Sequence, residues 1–183
     1  MNYRHIFHAG NFGDVLKHNV LMLLVSALKE KPGAFVVLDT HAGAGLYDLT
    51  SQAALQTNEH RDGIARVLQL KPTPAVLAPY LDLVRHYNPG IGKGLRHLKT
   101  YPGSPEIARR LLRNQDRLIA VERHPEEVKT LRRRFGRTSR VTVLDQDGYL
   151  ALKGLLPPAE RRGLVLIDPP FEKPDEFEKL LKG

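Results

Sequence analysis

The stretch FVVLDTHAGAG, residues 35–45, decides the fold. Phe35, Val36, Val37 and Leu38 are apolar with a β-branched centre, which reads as a short buried strand, and Asp39 closes it with a carboxylate. Gly43 and Gly45 follow at once, in a turn where missing Cβ atoms let the backbone approach a ligand closely. Three later runs repeat the strand pattern: RLIAVE (117–122), RVTVLD (140–145) and GLVLID (163–168), each ending in an acid. Between them PEEVKTLRRRFG (125–136) and GYLALKGLL (148–156) read as helices. Strands alternating with helices imply βαβ units and a mainly parallel α/β sheet with helices on both faces. Ligands of such sheets bind outside the carboxyl ends of the strands, where these acids stand.

Upstream, DVLKHNVLMLLVSALKE (14–30) predicts a helix, with Leu16, Val20, Leu23, Leu24, Ala27 and Leu28 as its apolar stripe, Asp14 as N-cap and Lys31-Pro32-Gly33 as the stop. Downstream, one spacing departs from a plain doubly wound sheet. The ribose-holding acid is expected about 20 residues after the glycines. Asp39 and Glu122 stand 83 positions apart, so about 60 residues are extra. They assign 47–100 to an inserted, mainly helical subdomain, with the core in 1–46 and 101–183. RDGIARVLQL (61–70) and PAVLAPYLDLVRHY (74–87) are its expected helices, and NPGIGKGLRHLK (88–99) a Gly-rich basic loop. Ser104, Pro105 and Glu106 resume the core as N-cap, first helical residue and acidic first turn. DEFEKLLKG (175–183) begins a further helix. Only four strands are counted, and a central strand without its neighbour would be an exposed edge, so a fragment of a longer protein with its C-terminal strands missing is expected.

The whole chain of 183 residues carries a formal net charge of +8, with 42% hydrophobic and 26% charged residues. That composition fits one folded domain and excludes a long disordered chain. No apolar run approaches the length of a membrane span, and the N-terminus lacks the apolar core of a secretory signal. The absence of Cys removes disulfides, a Cys-based zinc site and a thiol nucleophile, and fits the cytoplasm. The basic balance suggests a polyanionic partner, nucleic acid first. The eight His residues show no ligand spacing such as HExxH, so no metal is expected.

Four motifs carry chemistry. In the Gly turn, Asp48 stands where a dinucleotide fingerprint needs its third Gly, so NAD or FAD fits poorly. A strand, a Gly-x-Gly turn and an acid at the next strand end suit a nucleoside cofactor without a pyrophosphate, S-adenosylmethionine (SAM) foremost; a plain tight turn is the alternative. Glu122 can accept from both ribose hydroxyls. Asp147-Gly148 can accept from the cofactor's adenine amine and donate an N–H to its ring, or can simply be a turn and helix cap. Asp168-Pro169-Pro170-Phe171 is the most telling. The prolines stiffen the turn and remove N–H donors, so Asp168 and a proline carbonyl can both accept from an exocyclic amine while Phe171 stacks on its base. Two acceptors can hold an adenine N6 toward sp3 geometry and free its lone pair for in-line attack on a methyl group, with the rate coming from orientation and preorganised electrostatics.

YRHIFHAGNFGDVLKH (3–18), LDTHAGAG (38–45), YPGSPEIA (101–108) and IDPPFE (167–172) together resemble the bacterial large-subunit rRNA adenine-N6 methyltransferases of the RlmJ type, along the whole chain. YRHxFHAGN is the most specific part, since DPPF-like motifs also occur in DNA amino-methyltransferases. The resemblance implies a class I SAM-dependent, Rossmann-like fold with a small helical insertion, in a longer protein, and N6 methylation of one adenosine in 23S rRNA. It implies that His18, His41, Gly43, Ser104, Glu122, Asp147, Gly148 and Asp168 hold SAM, with Asp168 also the catalytic acceptor, and that Tyr3 contacts RNA. Tyr is common in the family where Phe171 stands, so stacking is kept and a phenolic hydrogen bond is not. His5, Lys17, Pro169 and Phe171 join Tyr3 on the substrate side, in a basic and aromatic N-terminal cluster able to stack on RNA. His18, in the first turn of its helix, is expected to stay neutral. The run Lys129, Arg132, Arg133, Arg134 and Arg137 is either a solvated face or a phosphate-contacting stripe. A monomer acting on 23S rRNA before full ribosome assembly is expected; a DNA adenine-N6 methyltransferase is the alternative.

Overall fold

The computed structural model describes residues 4–171 and 176–182. In chain order its strands are β1 (Val36–Asp39), β2 (Leu46–Asp48), β3 (Thr100–Pro102), β4 (Arg117–Glu122), β5 (Val141–Asp145) and β6 (Gly163–Leu166). Its helices are α1 (Phe12–Lys29), α2 (Gln52–Thr57), α3 (Ile64–Val67), α4 (Ala78–Tyr87), α5 (Ser104–Leu111), α6 (Pro125–Phe135), α7 (Gly148–Leu155) and α8 (Glu176–Lys182). The four apolar runs pair in parallel, in the order β5-β4-β1-β6. Alternate residues face opposite sides, as strand geometry demands. Phe35, Val37, Leu118 and Ala120 pack with α1, α5 and α6, while Val36, Leu38, Ile119 and Val121 pack with Ala151 and Leu152 of α7. After β1 the chain builds β4 and β5 on one side and then returns to place β6 on the other. The strand order therefore reverses between β1 and β6, where doubly wound sheets bind their ligands.

β2 and β3 form an antiparallel ribbon, Leu46 opposite Pro102 and Asp48 opposite Thr100. α2, α3 and α4 lie between them in sequence, and Ile64, Tyr80, Leu81 and Val84 join the core that covers the sheet. The helix expected over 61–70 is interrupted. A 3-10 turn spans Glu59–Arg61, and α3 holds only Ile64–Val67. Gly63 breaks the regular backbone, and the Ile64 N–H donates to the Gly10 carbonyl at 2.8 Å instead of continuing a helix. The N-terminal segment has taken that donor.

α1 differs from the sequence reading twice. Its N-cap is Asn11, whose side chain accepts the Asp14 N–H at 2.8 Å; Asp14 sits within the first turn. Its buried face is Asp14, Val15, His18, Leu21, Met22 and Val25. The expected stripe of Leu16, Val20, Leu23 and Leu24 is exposed. The helix has two apolar stripes, and the buried one also carries the polar residues that find partners inside. α5 is likewise capped one residue earlier than read, at Gly103, with Ser104 as its first residue.

Candidate active site

Three segments meet at the carboxyl ends of β1, β4 and β6. The first is the Gly turn. Gly43 has φ +61°, and a Cβ there would overlap the Tyr47 hydroxyl, so glycine is required. Its N–H donates to Glu122 Oε2 at 2.7 Å, and the His124 N–H donates to Oε1 at 2.6 Å. Glu122 is thus fixed at the end of β4 with one backbone donor on each oxygen and lone pairs to spare. Burial raises its pKa, with the backbone donors opposing.

Asp39 ends β1 and was not among the residues assigned a role from sequence. It is 1% exposed, accepts a hydrogen bond from Ser104, and its Oδ2 has no partner. Burial pushes its pKa up to about 6, against the Ser104 bond and the Lys17 charge. Its signal in the sequence was its place, a carboxylate ending the strand before the Gly turn. His18 shows the same pattern. It is fully buried and stacks on Tyr101, whose hydroxyl lies 2.8 Å from Nδ1, while Nε2 has no hydrogen-bond partner. Burial lowers its pKa to about 3, so the ring is neutral. Two buried polar atoms without partners beside a Gly turn fit a polar cofactor, because such atoms are costly unless something pairs with them.

His41 Nδ1 lies 2.8 Å from Thr40 Oγ1, and its ring meets Tyr149 edge-on. Asp147 caps α7, with Oδ1 accepting from Tyr149 and Leu150 N–H groups and Oδ2 paired with Arg123 at 2.8 Å. The cap anticipated as an alternative is therefore present. Gly148 is buried as the first residue of α7.

The second segment is Asp168-Pro169-Pro170-Phe171, just beyond β6. Together with the third, the N-terminal segment, it lines a cleft of about 360 Å³ that takes in His5, His8, Asn11, Asp14 and Lys17. Lys17 Nζ lies 2.5 Å from Asp168 Oδ2 and 2.8 Å from Asp14 Oδ1. His5 Nε2 lies 2.9 Å from Asp14 Oδ2. Both carboxylates raise the Lys17 pKa despite burial, so it is a fixed cation. Phe171 is half exposed, has φ +49°, a conformation that costs an L residue energy, and packs on Phe177 at 5.2 Å. Tyr3 lies outside the described residues. Asp14, legible in the sequence only as a candidate N-cap, is the other residue whose place in the site no motif gives. Its only signal was its spacing to Lys17 and His18, which puts all three on one turn of a largely apolar helix.

In the basic run of α6, Arg134 turns in to the buried Glu106 at 2.7 Å and Arg132 reaches Asp145 at 3.3 Å. Among the described residues no group of three or more His, Asp or Glu is placed to hold a metal, and no helix is long and apolar enough to cross a membrane.

A structural comparison finds protein LPL1258 from Legionella pneumophila, of the family DUF519, with a TM-score of 0.83 and 37% identity over 94% of this chain and 62% of that one. The shared architecture is a mixed α/β fold with a mainly parallel sheet. Two curated relatives are both named Ribosomal RNA large subunit methyltransferase J. The one from Escherichia coli is 48% identical and the one from Haemophilus influenzae 46% identical, each over all 183 residues. The chain spans 64% of the length of each. The family model described as "Ribosomal RNA large subunit methyltransferase D, RlmJ" matches residues 32–183, so the chain belongs to the RlmJ family.

Proposed function

We propose that this chain carries the catalytic core of a SAM-dependent methyltransferase that modifies N6 of an adenosine in 23S rRNA. The observation that carries the reading is the meeting of two motifs at the point where strand order reverses. The Gly turn with Glu122 lies on one side and Asp168-Pro-Pro-Phe on the other, joined by the β1–β6 pairing of Asp39 with Leu166. The names of the relatives supply the substrate class.

SAM, when bound, supplies an electrophilic methyl group on a sulfonium. The chain's part is to hold and orient. Glu122 accepts from the ribose hydroxyls with its remaining lone pairs. Asp39, Ser104 and Nε2 of His18 would hold its polar amino-acid end, with His41 beside them. Gly43 lets the backbone approach. Gly148 N–H and Asp147 bracket the adenine, which requires the exposed Arg123 to release one carboxylate oxygen. Asp168 and the Pro169 carbonyl accept from the target amine, so that its lone pair points at the methyl carbon. On transfer the methyl carbon would exchange its bond to sulfur for one to N6, the cofactor leaving as the neutral thioether, and Asp168 would accept the surplus proton along its hydrogen bond. Phe171 stacks on the flipped base, while His5, Lys17 and Tyr3 complete the substrate side. Residues 47–100 serve as an insert that grips the N-terminal segment: Glu59 holds both His8, at 2.9 Å, and Asn11, at 3.0 Å.

The test is substrate choice. Full-length protein and labelled SAM are offered protein-free 23S rRNA, assembled subunits and duplex DNA, followed by nucleoside analysis. N6-methyladenosine in rRNA, strongest in the protein-free sample, is expected. Label in duplex DNA at an equal or greater rate would replace this reading with a DNA methyltransferase.

A further inference from the structure

The proposed chemistry uses Asp168 but leaves unexplained a second carboxylate behind it. Asp14 is 2% exposed, in the first turn of α1. It accepts the Gly10 N–H at 2.9 Å, Lys17 Nζ at 2.8 Å and His5 Nε2 at 2.9 and 3.0 Å, and its Oδ1 lies 3.8 Å from His18 Nε2. Burial alone would push its pKa up, but His5, Lys17 and His18 together hold it well below the usual carboxylate range. A buried carboxylate is tolerated only when it is paired this fully. Its partners are the cation that grips Asp168 and a ring that lines the same cleft, one on either side.

We propose that Asp14 is a positioning residue for methyl transfer: it anchors the Lys17 ammonium, and with it the His5 ring, so that Lys17 pins one oxygen of Asp168 and leaves the other directed at the target amine. This rests on the function proposed above. The geometry favours it over a plain helix-end ion pair for two reasons. Lys17 is a single ammonium shared between two carboxylates, with the inner one almost fully buried and the outer one 38% exposed on its side chain. An Asp at that exposure has freedom to rotate, and a lysine stem alone is flexible. The inner carboxylate is the part that cannot move, since it is tied to the Gly10 backbone and to α1.

Asp14→Asn keeps an acceptor for the Gly10 N–H and removes the charge. In the full-length protein kcat should fall on the order of 10²-fold, as for a misplaced catalytic group, with KM for SAM little changed. Because Asp14 acts through Lys17, the double variant Asp14→Asn with Lys17→Met should be no slower than the slower single variant. A kcat unchanged in Asp14→Asn, or single effects that multiply in the double variant, would overturn the proposal. A second measurement leaves Asp14 intact and does not depend on turnover. In Asp168→Ala, Lys17 should stay protected from an amine-acylating succinimidyl ester, read by mass spectrometry, because Asp14 still holds it. Lys17 acylated as fast as the exposed Lys129 would show that Asp168, not Asp14, is the anchor, and would overturn the proposal even if Asp14→Asn does not fold. Wild-type protein that methylates no rRNA would fail the function instead, and the acylation result would still decide where Lys17 is held.

Discussion

Asp39 closes β1 with one oxygen bonded to Ser104 and the other without a partner, and burial raises its pKa from 3.8 to about 6. Below about pH 3 it is protonated both folded and unfolded. As pH rises from about 3 toward 6 the unfolded chain ionises first, so the folded state loses relative stability, and above about pH 7 the cost is constant at about 3 kcal/mol. Asp39→Asn should therefore match wild type at about pH 3 and exceed it in denaturant stability above about pH 7, in the absence of cofactor, while binding SAM more weakly. Equal stability at both pH values would show that Asp39 carries no burial penalty. Phe171→Ala should weaken the substrate contact by roughly 1–3 kcal/mol, seen as a rise in KM for RNA; an unchanged KM would remove the stacking role. Glu122 and Asp168 were legible because each ends an apolar run, where position alone implies the site. Asp14 was not, because its link to the site runs through Lys17 to Asp168, 151 positions further along the chain, a contact that no local pattern encodes.

The four strands of the parallel sheet are legible to within two residues because short β-branched runs have few other structures open to them, whereas the three-residue strands of the β2–β3 ribbon carry no such run. α1 was found but turned the wrong way. Its sequence offers two apolar stripes, and periodicity favoured the purely apolar one; the fold buries the stripe with Asp14 and His18 because Tyr101, Lys17 and the Gly10 N–H satisfy them there. Leu21→Ala should cost about 2–5 kcal/mol, as for any buried leucine. Leu16→Ala, which is 66% exposed, should cost well under 1 kcal/mol. Denaturant midpoints of the two variants decide between the faces, and the reverse ranking would restore the first reading. Of the two helices expected in 47–100, the one over 74–87 is α4, entered through a 3-10 turn, while the one over 61–70 is cut where the N-terminal segment crosses it, a tertiary contact that outweighs local propensity.

The net charge of +8 gives the molecule a field that attracts polyanions whatever their sequence. Binding to protein-free rRNA should weaken as salt rises, with a log–log slope of about −0.7 for each single-stranded phosphate contact. A flat salt profile would make the basic surface incidental. Within that field the strapped N-terminus and the proline turn after β6 line one crevice, and the Gly turn after β1 adjoins it beside His5. The account stands or falls on whether that crevice separates holding the cofactor from presenting the amine. The direct measurement compares Asp168→Ala with Glu122→Ala in the full-length protein, with SAM affinity from calorimetry and methyl transfer to 23S rRNA side by side. Asp168→Ala should lose at least about 10²-fold in transfer while keeping more SAM affinity than Glu122→Ala. Transfer at the wild-type rate by Asp168→Ala, or SAM affinity lost there and kept in Glu122→Ala, would contradict it.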